Sequence, residues 1–274
     1  MGNKLIIESG STKADWVVLD ENGVLNQIQS VGLNPKILTQ ELFKKSVEEI
    51  VQKLNAQPIE QVYFYGAGVI GLENKVKEVF KSTIPNTEVT VFSDLIAGLH
   101  VSSFDRKMIC ILGTGSYIGL FEQENLLESR LGHGYIIGDL CSGSEFGKIV
   151  LRDFLNGDLP VVLADEFENT PAELQKQLYQ QKTPNRFLAS FFPILSKHSN
   201  TEYGKQLIEE QIQLLSKKGV EPLSQNCKKI TFIGGVANQL KSELTAYFGS
   251  HYEIEFVEKP IEKLVEFHQS HSSI

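Results

Sequence analysis

CILGTGSYIGLFEQEN, residues 110–125, is an apolar run, a Gly-Thr-Gly-Ser break, a second apolar run and a polar turn. The chain has already written the same figure once, at Leu5–Gly23, as LIIESGSTKADWVVLDENG. Two copies of strand, small-residue loop, strand and acidic turn read as an internal repeat, which decides the fold before any single residue does.

Outward from the first copy, the pattern gives strands over Lys4–Ile7, Asp15–Leu19 and Val24–Val31, with Asn22-Gly23 as a hairpin tip. Leu38, Leu42, Val47, Ile50, Val51 and Leu54 then recur at helical spacing. A strand QVYFYGAG, a helix over Gly71–Lys81 and a strand EVTVF lead to SDLIAGL. The second copy restarts at Met108. It continues through a helix over Ser144–Leu155, helix-period segments in 160–218, the strand–Gly-Gly–helix KKITFIGGVANQL, the strand YEIEFV and a closing helix PIEKLVEFHQ. A meander followed by alternating helices and strands, twice, predicts an α/β chain of two related halves with mixed sheets. The boundary falls near Ser103–Lys107, giving domains 1–106 and 107–274, with the last helix placed to pack at their interface.

The totals bound the function. With 274 residues and 41% hydrophobic content, the chain can bury one large core or two medium ones. A formal net charge of −8 argues against nucleic acid and anionic membrane as partners, since both need basic faces. Cys110, Cys141 and Cys227 are odd in number and lack C-x-x-C spacing, which fits a reducing cytoplasm better than a disulfide or zinc framework. No apolar run reaches the length of a membrane span or of a signal peptide. The opening MGNKLI carries Ile6 where a myristoylation signal needs Ser or Thr.

Three glycine-bearing turns invite an anion. Gly10–Lys13 offers the Ser11 and Thr12 hydroxyls and the Lys13 cation; Gly113–Ser116 offers Thr114 and Ser116; Gly234 and Gly235 stand between a strand and a helix. Small residues let backbone N–H groups approach phosphate. Each turn alone reads equally well as a tight hairpin or as strand–helix packing. Neither hairpin loop matches the P-loop or the dinucleotide fingerprint. Asp94 stands where a strand meets a helix, as a general base or as an N-cap, a role Ser93 could fill instead. Asn34, before Pro35, is a turn residue or a donor and acceptor for hydroxyls. Trp16 reads as core. His133 has no second His or Cys at ligand spacing, which disfavours metal chemistry there.

The ordered trio of loops resembles the actin/hexokinase/heat-shock-70 ATPase superfamily. Within it, the chain is similar to the N-acetylglucosamine kinase branch and its BadF/BadG/BcrA/BcrD-type ATPase relatives. The likeness spans ESGSTKADW, GLNP, SDLIAG, GTGSY, GHGYIIGD, SGS and GGVAN, and is weak across 155–218. The resemblance implies two ribonuclease-H-like domains closing on ATP and Mg2+, with a sugar in the cleft. It makes Asp94 the catalytic base, and Glu8 the metal carboxylate where relatives usually have Asp. It assigns ATP to Gly10, Ser11, Thr12, Lys13, Gly113, Thr114, Gly234, Gly235 and Asn238. Sugar contacts fall to Asn34, Ser116, Tyr117, Gly132, His133, Gly134 and Asp139. Relatives commonly read Asp-Glu-Gly-Ser where this chain reads DLCSGS, so Leu140 and Cys141 depart from the pattern. The implied function is an ATP-dependent kinase for an amino sugar, N-acetylglucosamine first, with a homodimer as the assembly the resemblance implies. The alternatives are a BadF-type ATPase that activates a redox enzyme through an iron–sulfur cluster, and a non-catalytic sugar- or nucleotide-binding regulator.

Overall fold

In the computed structural model, residues 2–54 and 58–270 are described, and they divide into two compact units. The first is Met1–Ser102 together with Lys259–Ile274; the second is Ser103–Glu258. The expected domains, 1–106 and 107–274, differ from these units chiefly at the C-terminus. The closing helix, Pro260–Ser270, completes the first unit rather than the second.

The first unit is built on β1 (Asn3–Ser9), β2 (Lys13–Asp20), β3 (Gly23–Val31), β4 (Ile59–Gly66) and β5 (Glu88–Ser93). Their sheet order is β3-β2-β1-β4-β5. The Asn-Gly signal sits where expected. Asp20 Oδ1 accepts from the Asn22 and Gly23 amides at 2.7 and 3.0 Å and closes the β2–β3 turn. β1 then pairs parallel with β4, and β4 with β5, through crossovers by α1 (Gln40–Leu54) and α2 (Glu73–Thr83). Both helices start about two residues later than the periodicity predicts, because apolar spacing does not mark an end. Phe43, Val47, Ile50 and Leu54 form the buried stripe of α1. Phe43, Phe64, Phe80 and Trp16 interlock beneath it, with ring centroids 5.4–6.4 Å apart.

The closing helix docks on the same sheet through Ile261, Leu264, Val265 and His268. The His268 ring lies 4.0 Å from that of Tyr63. The Tyr65 hydroxyl bridges His268 Nε2 at 2.8 Å and His100 Nδ1 at 2.9 Å, the imidazole tautomers setting which partner donates. Lys4 Nζ donates to the His268 carbonyl at 2.9 Å, a cation at a helix C-terminus. The contacts to His268 join positions more than two hundred residues apart in the chain, and apolar periodicity carries no trace of them.

The second unit repeats the plan with β6 (Arg106–Leu112), β7 (Ser116–Glu122), β8 (Asn125–Leu131), β9 (Lys229–Ile233) and β10 (Glu253–Val257). Its order, β8-β7-β6-β9-β10, is the first sheet's order repeated. The likeness extends to irregularities. β3 slips against β2 between Val18 and Leu19, and β8 slips against β7 between Leu120 and Phe121. Leu25 and Leu127 are therefore the bulged residues, each third along its strand. α3 (Asp94–Val101) follows β5, and α4 (Gly143–Asn156) follows the GHGYIIGD stretch. Ser142 caps α4 by accepting from the Glu145 amide at 3.2 Å, and Gly157 ends it in the left-handed region. Residues 161–226, where the resemblance is weak, form helices packed around α4 and a π-helical turn at Ser216–Val220. Trp16 is fully buried, as expected.

Removing the Tyr65 hydroxyl tests how firmly the closing helix is held. Tyr65→Phe loses both imidazole hydrogen bonds and is expected to lower stability by about 1–3 kcal/mol. Trp16 is the chain's single tryptophan and reports the first unit, so a urea titration followed by its fluorescence gives the midpoint directly. An unchanged midpoint would show that the tyrosine bridge contributes nothing.

Candidate active site

In the first unit, the parallel register sets Glu8 beside Tyr65, Ser9 beside Gly66 and Gly66 beside Ser93. The carboxyl ends of β1, β4 and β5 therefore finish together, the edge where open α/β sheets gather their ligands. Glu8 is the penultimate residue of β1, and Asp94 opens α3 directly after β5. Ser93 occupies the N-cap position but makes no side-chain cap bond, while Asp94 Oδ1 accepts from the Leu95 amide at 3.1 Å.

The β1–β2 hairpin also faces Glu8 directly with Asp15. Asp15 is buried and held by Gln29 Nε2 at 2.6 Å and Lys13 Nζ at 3.1 Å. Burial, then the charges of Asp15 and Asp94, push the Glu8 carboxyl up to about 7 against the partial relief of Lys13. Burial likewise pushes Asp94 up to about 6, opposed by its backbone hydrogen bonds and by Lys36. Both side chains nonetheless keep some contact with solvent. Among the described residues, no three His, Cys, Asp or Glu side chains gather closely enough to cage a metal.

The loop between β1 and β2 is anchored from outside. Gly10 N donates to the Lys13 carbonyl at 3.0 Å, and Gly32 N donates to the Thr12 carbonyl at 2.9 Å. Asn34 Nδ2 donates to Ser11 Oγ at 3.0 Å, and its Oδ1 accepts from the Lys36 amide at 2.9 Å. Asn34 is thus the brace of the loop, with one N–H and one lone pair left for a ligand. Gly68, at φ +76°, has to be glycine because a Cβ there would collide with the Asn34 amide.

In the second unit, the loop between β6 and β7 has the same design. Gly113 N donates to the Gly115 carbonyl at 2.9 Å, and the Gly143 and Ser144 amides at the head of α4 donate to the Gly113 and Thr114 carbonyls at 2.8 and 3.0 Å. Asp139 lies beneath this loop and accepts from the Ser116 and Gly134 amides, so it ties the loop to the GHGYIIGD turn. Burial raises its carboxyl, with Glu145 adding to the rise and Lys148 opposing it. Lys148 Nζ contacts Glu145 at 2.5 Å and the Tyr135 carbonyl at 3.3 Å. Ser116 Oγ is buried with no hydrogen-bond partner among the described residues. Gly132 and His133 are exposed, and Tyr117 is half-buried beside Gly132.

Gly234, at φ +111°, lies against the Leu112 carbonyl, leaving no room for a side chain. Gly113 and Gly235 are the opposite case: a Cβ on either would meet open space. Asn238 is exposed on the short helix that follows Gly234.

The first unit therefore brings together Glu8, Gly10–Lys13, Asn34 and Asp94. The second brings together Gly113–Ser116, Gly132–Gly134 and Asp139, with Gly234 against the end of β6. Sequence reasoning missed Asp15, Lys36, Glu145 and Lys148. Asp15 was within reach, because a tight loop between Ser9 and Lys13 sets it opposite Glu8. The Glu145–Lys148 pair was also within reach, since the two stand three residues apart on the helix expected over Ser144–Leu155, though not its nearness to Asp139; Lys36 carried no signal.

No family model matches this chain, and no curated protein matches it. Solved structures do. A candidate N-acetylglucosamine kinase from Porphyromonas gingivalis superposes with a TM-score of 0.90 at 27% identity, covering 98% of this chain and 99% of the other. A candidate N-acetylglucosamine kinase from Chromobacterium violaceum gives 0.72 at 14% identity over 97% and 99%. A ROK-family glucokinase from Streptomyces griseus, solved with glucose and AMPPNP, gives 0.56 at 14% identity over 96% and 97%, a likeness of fold alone. In structure, then, the chain is similar over nearly its whole length to a candidate N-acetylglucosamine kinase, and it shares the two-unit α/β fold of the more distant sugar-kinase structures.

Proposed function

We propose that this protein is an ATP-dependent sugar kinase, with an amino sugar, N-acetylglucosamine first, as its substrate. One observation carries the reading: Asp94 presents a carboxyl raised to about 6 at the strand ends, beside a braced glycine loop and a second carboxylate, Glu8. The near-complete superposition on the Porphyromonas gingivalis protein supports the same reading. A base with that pKa is ionised at neutral pH yet basic enough to take a proton as a hydroxyl attacks. In the proposed reaction the sugar oxygen bonds to the γ-phosphorus, its proton passes to Asp94, and ADP leaves with the electrons of the broken P–O bond.

The residues present fit the nucleotide. A Cβ on Gly113 or Gly235 would meet only open space, so a phosphate or a flat base has room to approach the backbone there. Gly10, Ser11, Thr12, Lys13, Thr114 and Asn238 are assigned to the same ligand. Glu8 is the residue to hold Mg2+, which takes one or two carboxylates with waters and phosphates and supplies charge neutralisation on the transferred group. Asn34, Ser116, Tyr117, Gly132–Gly134 and Asp139 are assigned to the sugar. In Asp139, two acceptor positions are already committed to backbone amides, so it orients the site as much as it binds. The iron–sulfur alternative lacks a ligand, because Cys110, Cys141 and Cys227 are all buried in the second unit.

A coupled assay for ADP production across a panel of amino sugars and hexoses tests the reading, and no sugar-dependent ADP at all would defeat it. Asp94→Asn is expected to lower kcat by about 10²–10⁴ while ADP binding is retained. At saturating Mg2+, which would hold Glu8 ionised, the profile of kcat/KM in wild type should fall about tenfold per pH unit below about 6 and level off above it, as the base protonates; at low Mg2+ the fall should begin nearer 7. Near-normal turnover in folded Asp94→Asn would remove it as the base.

Gly113→Val should fold normally, since nothing stands within 4 Å of the added Cβ, yet lose nucleotide binding in calorimetry. Unchanged ADP affinity would leave that loop a plain hairpin.

Glu8 separates stability from function. Its folded pKa lies above its ordinary 4.5, so the folded state holds the proton more tightly. Stability is then lost as pH rises from about 4.5 through about 7. Glu8→Gln should therefore be more resistant to urea than wild type at pH 8, with the advantage gone near pH 4.5, while losing most metal-dependent activity. If the variant keeps full activity and metal dependence, Glu8 is a structural strand end.

A further inference from the structure

Backbone strain collects at one place in the second unit. Among the described residues, five other than glycine have a positive φ. Three of them, Leu131 at +64°, Asp139 at +57° and Cys141 at +58°, fall within the eleven positions from Leu131 to Cys141. Gly132 and Gly134 add +73° and +81° to the same stretch. Such a backbone persists only where surrounding contacts over-determine it. The ends of the stretch are well fastened. Asp139 accepts from the Ser116 and Gly134 amides, Gly138 N donates to the Gly134 carbonyl at 2.8 Å, and the Cys141 amide donates to Gln211 Oε1.

The middle is held differently. The Tyr135 side chain rests on the small cluster of Leu151, Leu174, Leu188 and Phe191, but Ile136 and Ile137 are 75% and 82% exposed and gain little from packing. Lys148 reaches this part of the turn, its Nζ donating to the Tyr135 carbonyl at 3.3 Å. The lysine is aimed there by Glu145, one helical turn earlier on α4, whose Oε2 it contacts at 2.5 Å. Glu145 is only 14% exposed, so this pair is more sheltered than an ordinary surface bridge. The ammonium also offsets the like charges of Glu145 and Asp139. One cation therefore ties the turn to a rigid helix and balances the two carboxylates beside it.

We propose that Lys148 is a positioning residue for the sugar, fastening the Gly132–Asp139 turn to α4 so that the turn meets its ligand already in the binding conformation. Glycines contact a sugar only through backbone N–H and C=O groups, so their usefulness depends on the backbone staying in place. The inference rests on the sugar-kinase reading, which assigns Gly132–Gly134 and Asp139 to the sugar.

Lys148→Met tests it, since it keeps an unbranched stem and removes the charge and the N–H donors. The KM for N-acetylglucosamine should rise by roughly tenfold, while kcat and the KM for ATP stay within about twofold of wild type. Lys148→Arg should restore the sugar KM, because a guanidinium can donate to Glu145 and to the Tyr135 carbonyl together. Hydrogen exchange read by mass spectrometry, with no ligand present, should be roughly tenfold faster over residues 134–138 in Lys148→Met and normal in Lys148→Arg. A Lys148→Met protein with unchanged sugar KM, a loss confined to kcat, or no rescue by arginine would each overturn the proposal. Exchange and calorimetry with N-acetylglucosamine need no turnover. If wild type makes no sugar-dependent ADP, the kinase reading falls by that result, and these two measurements still judge Lys148. Weaker sugar binding with faster exchange supports its role, and unchanged exchange or unchanged binding ends it.

Discussion

The pairing of β1 with β2 places two carboxylates, Glu8 and Asp15, face to face at one end of a hairpin, and much of the first unit answers to that placement. Like charges in partial burial repel, so each needs a compensating arrangement. Asp15 finds Gln29 and Lys13. Glu8 has no such pair and holds its proton to about 7. The parallel crossovers then bring Asp94 to the same edge, adding a third negative group. A chain selected for stability alone would place apolar or amide side chains there. The cluster is tolerated because the surrounding core, from Trp16 to Phe80, is dense and apolar.

Much of this is legible in the amino-acid sequence alone. The repeated strand–loop–strand figure, the Asn-Gly tip and the alternation of apolar runs carry both sheets, because each is a local signal of period or turn chemistry. Glu8 and Asp94 were legible as strand-end carboxylates for the same reason. What escaped depends on contacts across the fold. Asn34 reads as a donor and acceptor, yet that it braces Ser11 follows only from the return of the chain after β3. Asp139 reads as a pocket carboxylate, yet its ties to the Ser116 and Gly134 amides follow from the left-handed turns at Gly132, Gly134 and Asp139 itself.

Cys141 illustrates how a departure from a motif can be understood physically. It stands where relatives commonly have glycine, and its φ is +58°, a conformation glycine adopts without cost. Here a cysteine accepts the strain, with its side chain buried in the core and its amide donating to Gln211 Oε1 at 3.2 Å. The helical segment behind it, so weakly similar to relatives, supplies that partner.

The return of the closing helix to the first unit has a consequence for synthesis on the ribosome. Residues 103–258 are contiguous and can close their sheet as soon as they emerge. The first unit, although translated earliest, must wait for residues 260–270 before His268 can meet Tyr65. The sheet and inner core of the first unit lie within residues 3–93 and can form early, but the face that the closing helix covers is completed last. Until the last helix emerges, the nascent chain carries its carboxylate edge on an unfinished scaffold and offers an apolar seat to chaperones.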